Sequence, residues 1–205
     1  MAYTPKILCF AGSLRNDSFN KKLVKIAMAG AKEAGADVTY VDLKDFPLAV
    51  YDGDVEAEQG IPENGMKLKE LLLANQGILI ACPEYNSSIS AALKNAIDWA
   101  SRPAKGEGPL ACFKGKIAGL MSASPGALGG LRGLVTVRSI LENIGVMVVT
   151  EQVSVSQAAQ AFNADFSALL DEKKDASVRK IGARVAEVTS KLFAEEQSLQ
   201  KSGSR

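Results

Sequence analysis

Residues 6–21 read Lys-Ile-Leu-Cys-Phe-Ala-Gly-Ser-Leu-Arg-Asn-Asp-Ser-Phe-Asn-Lys, and this stretch determines the architecture that we predict for the whole chain. Residues 7–11 form an apolar run of the kind that is buried on both faces of a parallel sheet. Gly12 ends the run, and from residue 23 apolar side chains recur at helical spacing. We therefore predict a strand, a polar loop and a helix whose N-cap is Asp17 or Ser18.

The polar loop between this strand and this helix is suited to an anion. Free backbone N–H groups and the positive end of the helix dipole point at the loop, and both favour negative charge. Ser13, Ser18 and Asn20 add donors, and Arg15 adds a planar guanidinium group that matches phosphate. Each charge-assisted hydrogen bond contributes roughly 1.5–3 kcal/mol. A simple helix cap beside a surface arginine is the alternative, but the convergence of these residues on one loop favours a phosphate site.

Two familiar glycine-rich phosphate motifs are missing from this loop. The dinucleotide fingerprint G-x-G-x-x-G does not occur in it, and the Walker A pattern G-x-x-x-x-G-K-[ST] occurs nowhere in the chain. We therefore expect a phosphate-bearing ligand that is held by side chains as much as by glycine backbone.

The composition limits the class of protein. The chain has 205 residues, of which 47% are hydrophobic and 23% charged, as expected for one α/β domain over residues 1–205. The net charge is +1, so neither a nucleic acid nor a membrane surface is an expected partner. Neither a signal peptide nor an apolar run near the ~18 residues of a membrane span is visible. We expect a cytoplasmic protein whose tail, residues 200–205, is disordered.

The chain has three cysteines, Cys9, Cys82 and Cys112, and no histidine. An odd number of cysteines without metal-ligand spacing indicates reduced thiols in or near the core, and a redox role is the less favoured alternative. The lack of histidine excludes Ser-His-Asp and Cys-His hydrolases, histidine-ligated zinc and a histidine base. We expect no metal site and no catalytic side chain, so that a bound cofactor would carry any chemistry.

Apolar runs and helical patterns alternate along the whole chain. The predicted strands are 7–11, 37–43, 76–82, 116–121 and 146–150, and the predicted helices are 18–34, 66–75, 89–101, 131–144 and 165–194. This alternation predicts a five-stranded parallel sheet with helices on both faces, in the order 2-1-3-4-5. Residues 44–64 form a long irregular stretch, which we interpret as the border of a pocket or subunit contact, or as a plain surface excursion.

Three polar loops, residues 12–20, 83–88 and 122–130, follow strands and therefore share one edge of the sheet. The second offers a rigid turn, an aromatic face and amide groups, and the third is small enough for close backbone approach. A phosphate in the first loop, with a planar ring over residues 83–86 and against residues 124–126, describes flavin mononucleotide (FMN). Backbone N–H groups at the pyrimidine edge of the ring would stabilise the negative charge of reduction. Taken alone, residues 83–86 fit an ordinary turn before the next helix about as well.

Three motifs carry a resemblance to a known family: Gly12-Ser-Leu-Arg-x-x-Ser18-x-Asn20-x-x-Leu23, Pro83-Glu-Tyr-Asn86 and Leu93-Lys-Asn-Ala-Ile-Asp-Trp-x-Ser101-Arg102. Over residues 6–149 the chain resembles the NADPH-dependent FMN reductases, which include bacterial chromate/quinone reductases and azoreductases. The resemblance implies a flavodoxin-like fold and non-covalently bound FMN.

The resemblance also implies which residues bind the cofactor. The phosphate and ribityl chain would be held by Ser13, Arg15, Ser18, Asn20 and the backbone of Leu14 and Phe19. The isoalloxazine ring would contact Pro83, Glu84, Tyr85 and Asn86, and Ser124 would close its other side. The loop around Ser124 matches the family only loosely, so this last assignment rests on position alone.

The activity implied by the resemblance is a flavin oxidoreductase with a ping-pong cycle. NADPH or NADH would deliver a hydride to the flavin, leave, and be replaced by an acceptor such as a quinone, free flavin, azo compound, chromate or ferric chelate. The resemblance also implies a homodimer or homotetramer in which the helix after the third strand packs on its copy. That helix carries Ala91, Ala92, Asn95, Ala96 and Trp99, although Trp99 is equally well explained as ordinary core.

Two other classes of function stay open at the level of sequence. A flavodoxin-type electron carrier would bind FMN without oxidising NAD(P)H, but such carriers tend to be acidic and this chain is near neutral. A non-redox module that binds a phosphate ligand would explain the first loop and leave residues 83–86 unexplained. No dedicated 2′-phosphate site is visible, so the sequence does not rank NADPH against NADH.

Overall fold

The computed structural model describes the backbone of residues 3–202 and the side chains of residues 3–195. Strands and helices alternate along it, as the apolar runs predict. The strands are β1 (Lys6–Ala11), β2 (Asp37–Tyr40), β3 (Gly77–Ala81), β4 (Glu84–Tyr85), β5 (Ser88–Ile89), β6 (Ile117–Ala123) and β7 (Met147–Val155). The helices are α1 (Phe19–Glu33), α2 (Gly53–Gln59), α3 (Glu63–Ala74), α4 (Ala91–Ala100), α5 (Leu131–Asn143) and α6 (Glu172–Ser202).

The central sheet is parallel and has the order β2-β1-β3-β6-β7. Counting only its five strands, this is the predicted order 2-1-3-4-5, so the flavodoxin-like fold class is confirmed. β3 and β6 are buried along their whole length, as expected for the middle of a sheet covered on both faces. The antiparallel hairpin of β4 and β5 was not predicted, because each strand is only two residues long.

Helices cover both faces of the sheet and create two apolar cores. α1 and α6 pack on one face, where Leu23, Val24 and Ile181 are buried. α3, α4 and α5 pack on the other, where Leu93 and Leu134 are buried. The side chains of β1 alternate between the two cores, so this strand joins both layers.

The contact between α1 and α6 depends on two glycines. A Cβ atom at Gly30 would lie 2.1 Å from the carbonyl oxygen of Arg179, and one at Gly182 would lie 1.8 Å from that of Ala27. No side chain fits at either distance, so the two helices approach backbone to backbone. This close approach holds α1, and with it the loop before α1, firmly against the rest of the molecule.

The structure corrects the predicted elements in several places. β2 ends at Tyr40 rather than at residue 43, and β7 continues to Val155 rather than ending at residue 150. Residues 44–64 are not irregular throughout, since α2 lies within them and α3 begins at Glu63. α6 begins at Glu172 rather than at residue 165, because Asp165 Oδ1 accepts hydrogen bonds from the N–H and the hydroxyl of Ser167 and forms a turn. α6 extends to Ser202, so residues 200–202 of the predicted disordered tail are helical, and residues 203–205 lie outside the described residues.

The segment after β2, at Ala49 and Tyr51, is hydrogen-bonded to α4. The bonds come from Asn95 and Trp99, two side chains that we assigned to a subunit contact. Trp99 is fully buried, its Nε1 donates to the carbonyl of Ala49 at 2.8 Å, and its ring meets that of Tyr51 edge-on. Asn95 accepts from the backbone N–H of Tyr51 at 2.8 Å and also donates to Ala49. Trp99 is therefore core within its own chain, the alternative considered above.

No helix within the described part of the chain combines the length and the apolar character needed to cross a membrane.

Candidate functional site

Three loops meet at the carboxyl edge of the sheet, as the topology requires. The first, residues 12–18, follows β1, the second, residues 82–90 with the β4–β5 hairpin, follows β3, and the third, residues 124–130, follows β6. Gly12 donates to the carbonyl of Ala81 at 2.9 Å, and the Ser90 hydroxyl donates to the carbonyl of Gly12 at 2.5 Å. These bonds fix the first loop to the end of β3 and to the start of α4.

A cleft of about 90 Å³ lies between the three loops. It is lined by Ser13, Arg15, Ser18, Phe19, Asn20, Pro83, Glu84, Tyr85, Ala123, Ser124 and Pro125. The structure thus brings together nine of the eleven predicted cofactor-binding residues, all except Leu14 and Asn86. The cleft is far below the roughly 300–1,000 Å³ of pockets that enclose a small molecule. It can therefore take a phosphate and part of an attached chain, and a planar ring would lie along its outer wall.

The first loop presents donors to this cleft. Ser18 is the N-cap of α1 and its Oγ accepts from Lys21 N, which confirms the predicted helix start. The N–H groups of Phe19 and Asn20 lie in the first turn, where a helix has no acceptor of its own for them. The guanidinium of Arg15 is exposed, and no carboxylate among the described side chains forms an ion pair with it. Backbone donors, hydroxyls and a free cation together suit a phosphate group.

Asn20 has a different role from the other donors. Its Nδ2 donates to the carbonyl of Ala123 and its Oδ1 accepts from the Ala123 N–H, both at 2.9 Å, and the side chain is buried. The amide therefore closes a two-bond bridge between α1 and the end of β6. Asn20 lines the cleft, but its hydrogen-bonding groups hold the first and third loops together.

The second loop forms the wall on which a ring could rest. Pro83 is buried, whereas the Tyr85 side chain is about half exposed and lies at the cleft. Asn86 and Ser87 form the turn between β4 and β5, with φ angles of 50° and 64°. The turn carries Asn86 beyond the cleft lining, so the structure does not bring its side chain together with the other predicted residues.

Glu84 turns its carboxylate toward α5. The oxygen atoms accept from the backbone N–H groups of Arg132 at 2.9 Å and Gly133 at 3.1 Å, and from Nε of Arg132 at 2.8 Å. Arg132 Nη2 completes an ion pair at 2.5 Å. Burial alone would raise the pKa of Glu84, but the hydrogen bonds from Arg132 and Gly133 outweigh it and hold the pKa below its usual value. The carboxylate therefore stays ionised at neutral pH.

Two further residues line the cleft beside Ser124: Ala123, the last residue of β6, which was not predicted, and Pro125, which lies within the predicted ring contact of residues 124–126. Both adjoin Ser124, within the small-residue loop whose composition already marked it as a place of close approach. Ser124 Oγ accepts from the N–H of Gly126 at 3.2 Å, and its backbone N–H donates to Val155 at 3.0 Å. These two hydrogen bonds hold the loop to itself and to the end of β7.

A larger cleft of about 360 Å³ lies next to the first loop, on the side of α3 and α4. It is lined mostly by apolar side chains, including Leu14, Phe46 and Pro47. Leu14 faces this cleft while its neighbours Ser13 and Arg15 line the smaller one, so only the backbone of Leu14 remains for a phosphate. Its walls carry one cation, Lys44, and no hydroxyl, so its chemistry does not suit a phosphate dianion.

None of the three cysteines reaches the cleft lining, and all three are free and buried. Burial raises the pKa of Cys9 to about 12 and that of Cys112 to about 11, and it also raises the pKa of Cys82. Because the thiolate is the reactive form, these thiols are inert at neutral pH. The prediction that the three thiols lie in or near the core is confirmed.

The sequence and the structure were compared with known proteins. The family model described as NADPH-dependent FMN reductase matches residues 5–160. An NAD(P)H-dependent FMN reductase of Pseudomonas aeruginosa is 37% identical over 169 residues, which cover 82% of this chain and 86% of that protein. A quinone reductase of Escherichia coli is 38% identical over 150 residues, or 71% of this chain and 74% of that one.

Solved structures of flavin enzymes are similar to this chain in fold. The flavoenzyme NAD(P)H:(acceptor) oxidoreductase FerB from Paracoccus denitrificans superposes with a TM-score of 0.76 at 29% identity, covering 92% of this chain and 98% of FerB. An FMN-dependent NADH-azoreductase from Bacillus anthracis, at 15% identity and a TM-score of 0.63, covers 89% of this chain and 100% of its own and supports the fold alone. With a family model that matches most of its length, the chain belongs to the NADPH-dependent FMN reductase family.

Proposed function

We propose that this protein is an FMN-dependent NAD(P)H oxidoreductase that passes electrons to quinones and other small acceptors. The observation that carries the proposal is the cleft of the first loop, where two buried serines, a free guanidinium and the open N–H groups of α1 converge. The family of the chain and the names of its relatives, FMN reductase and quinone reductase, support the same conclusion.

The residues present fit FMN in chemistry and in shape. Ser13, Arg15 and Ser18 would hold the phosphate, because they supply hydroxyl and guanidinium donors. Tyr85 and Ser124 would flank the ring at the open side of the cleft. When bound, FMN supplies the hydride and electron chemistry that protein side chains lack.

The protein's own part in this reaction is to bind the cofactor and to orient its ring. The chain has no histidine, and the carboxylate of Glu84, which lines the cleft, is occupied by α5 and Arg132. We therefore assign no catalytic acid or base. The buried donors of the first loop would fix the phosphate end, and the residues that flank the ring, Tyr85 and Ser124, would orient it toward the open side of the cleft, where donor and acceptor would bind in turn.

That arrangement favours a ping-pong cycle, in which NADH or NADPH leaves before the acceptor binds. Quinones are the acceptor class that we propose first, with free flavins, azo compounds, chromate and ferric chelates as further candidates. We also propose a cytoplasmic location and a homodimer or homotetramer. Parallel lines in double-reciprocal plots would support the cycle, and light scattering of the purified protein would measure the assembly.

The decisive test is a visible spectrum of the purified protein, followed by anaerobic addition of NADH and then NADPH. The proposal expects an oxidised-flavin spectrum that bleaches with at least one nucleotide and returns when a quinone is added. A flavin spectrum that neither nucleotide bleaches would favour the electron carrier. Protein without flavin that takes up none from added FMN would contradict the assignment of the first loop.

A further inference from the structure

Glu84 belongs to the second loop by sequence but to α5 by its contacts. Its side chain is only 8% exposed, and its two oxygen atoms accept from two backbone N–H groups and the guanidinium of α5. A buried carboxylate with this many donors is anchored, because moving it would leave both the charge and the donors without partners.

The start of α5 needs this carboxylate, because the helix has no cap of its own. Its N-cap residue is Gly130, at a φ of 89°, and no side chain caps it from that position. A Cβ atom at Gly130 would lie 1.9 Å from Oγ of Ser122, so a serine or aspartate cannot take its place. The second and third N–H groups of α5, those of Arg132 and Gly133, are therefore satisfied by Glu84, which lies 48 residues before Arg132 in the chain.

The second loop is held at its two ends and less firmly between them. Ser122 Oγ donates to the carbonyl of Cys82 at 2.6 Å, and Ile89 is buried in the core. Its hairpin consists of two strands of two residues each, and its turn puts two residues other than glycine, Asn86 and Ser87, in the left-handed region. Such a short hairpin is not stable by itself. The contact of Glu84 with α5 is the strongest polar attachment that the structure gives to residues 84–87.

We propose that Glu84 is a positioning residue, which caps α5 from within the second loop and thereby fixes the wall at Pro83 and Tyr85 against the flavin ring. The proposal rests on the proposed function and assigns to Glu84 an indirect role in place of the direct ring contact predicted above. Because the negative charge is matched by Arg132 and the helix dipole, the carboxylate can lie close to the ring without opposing its reduction.

Riboflavin binding separates this role from that of the first loop. Riboflavin has the ring and ribityl chain of FMN but lacks the phosphate, so its affinity reports the second loop and is independent of Arg15. We expect Glu84→Ala to weaken riboflavin and FMN by the same factor, about tenfold, which corresponds to one net hydrogen bond to a charged group. The visible circular dichroism of the bound flavin, which reports the surroundings of the ring, should change with it.

Four further variants complete the experiment. Glu84→Gln keeps an oxygen for the N–H groups of α5 and should recover most of the affinity. Arg132→Ala keeps the capping bonds and should cost only about threefold. Glu142→Gln removes an exposed carboxylate elsewhere on α5 and should bind riboflavin as the wild type does. Val185→Ala opens a cavity in the core beside Gly77, at the start of β3 and so at the opposite end of the sheet from the cleft, and we expect lower stability with unchanged riboflavin affinity.

The outcomes decide between a positioning role and a purely structural one. A Glu84→Ala protein that unfolds more easily but binds riboflavin with wild-type affinity and dichroism would overturn the inference. If Glu84→Ala does not fold, an Arg132→Ala protein that binds riboflavin with wild-type affinity and dichroism, without the expected threefold loss, would overturn it instead. A wild-type protein that binds neither riboflavin nor FMN would overturn the proposed function as well, and the two failures are thus distinguishable.

Discussion

At the scale of single residues, the surroundings of Arg15 indicate a role in binding the phosphate. It lines the cleft, is exposed and has no ion-pair partner among the described side chains, so its charge is available to a ligand. We expect Arg15→Ala to weaken FMN about 10–100-fold while leaving riboflavin affinity and thermal stability unchanged. Equilibrium titration of the apoprotein by flavin fluorescence measures this. Lys67→Ala, which removes an exposed cation of α3, is the control, and full retention of FMN by Arg15→Ala through gel filtration would contradict the assignment.

Lys116 is a buried lysine outside the cleft, so its charge affects the stability of the protein and not the proposed reaction. It lies just before β6, away from the cleft, with its ammonium donating to the carbonyl of Asn75. Burial lowers its pKa from 10.5 to about 8. Between these values the unfolded chain binds the proton and the folded protein does not, so this group makes stability rise with pH from about 8 to 10.5. Below pH 8 the buried charge costs the folded state its full penalty.

We therefore expect Lys116→Met to stabilise the protein at pH 7, by about 1–3 kcal/mol. The difference between variant and wild type should shrink as the pH rises through the window from 8 to 10.5. Urea denaturation of both proteins at several pH values measures it, and titrations of other groups cancel in the difference. A difference that stays constant across the window would show that packing, not charge, is responsible.

The sequence identifies residues such as Ser18, whose role depends on its immediate neighbours, but not residues such as Glu84. The N-cap of α1 follows from the residues around it, since a helix start is a local event. The partner of Glu84 lies on another helix, and the need for it arises from a glycine at the start of that helix. Only the folded chain brings these facts together.

At the scale of elements, Gly30 and Gly182 lie where α1 and α6 leave no room for a side chain. We expect Gly182→Ala to destabilise the protein by about 3 kcal/mol or more, because the new methyl group would meet a backbone carbonyl that cannot move aside. Chemical denaturation measures the loss. Gly53→Ala is the matched control, because a Cβ atom there meets nothing closer than 3.7 Å, and it should leave stability nearly unchanged. Equal stability of the two variants would contradict the close approach of the helices.

The starts of the five sheet strands were predicted to within one residue, and the ends of β2 and β7 and the connections less closely. Apolar runs mark the buried strands because the sheet is covered on both faces, and the ends of β1 and β3 agree with the prediction to within one residue. α2 was missed because it is a seven-residue helix without buried residues, so no apolar stripe indicates it. The start of α6 was placed too early because the turn at Asp165 depends on side-chain hydrogen bonds.

At the scale of the whole molecule, the strand order and the site edge follow from the alternation of elements, because parallel strands bring their carboxyl ends together. The size of the cleft could not be predicted from this alternation, since it depends on how the Asn20 bridge and the Glu84 contact draw the three loops together. The assembly of subunits also stays a prediction, because the side chains assigned to it include two that fasten the chain's own segment before α2.

A property of the whole fold can be tested with its thiols. Cys9, Cys82 and Cys112 are all buried, with pKa values raised by burial. We expect a chromogenic disulfide reagent to react with none of them in the native protein and with all three once the chain is unfolded in guanidinium. Rapid reaction of any thiol in the native state would show that the core opens there on the time scale of the assay.

The burial of these thiols also affects how well the protein resists chemical damage by the proposed acceptors. Quinones are electrophiles, and a thiolate that meets one adds to its ring and becomes permanently alkylated. A chain whose every cysteine is protonated and enclosed offers no nucleophilic sulfur at its surface. Such an enzyme would withstand its own substrate through many turnovers, without needing a scavenger to protect it.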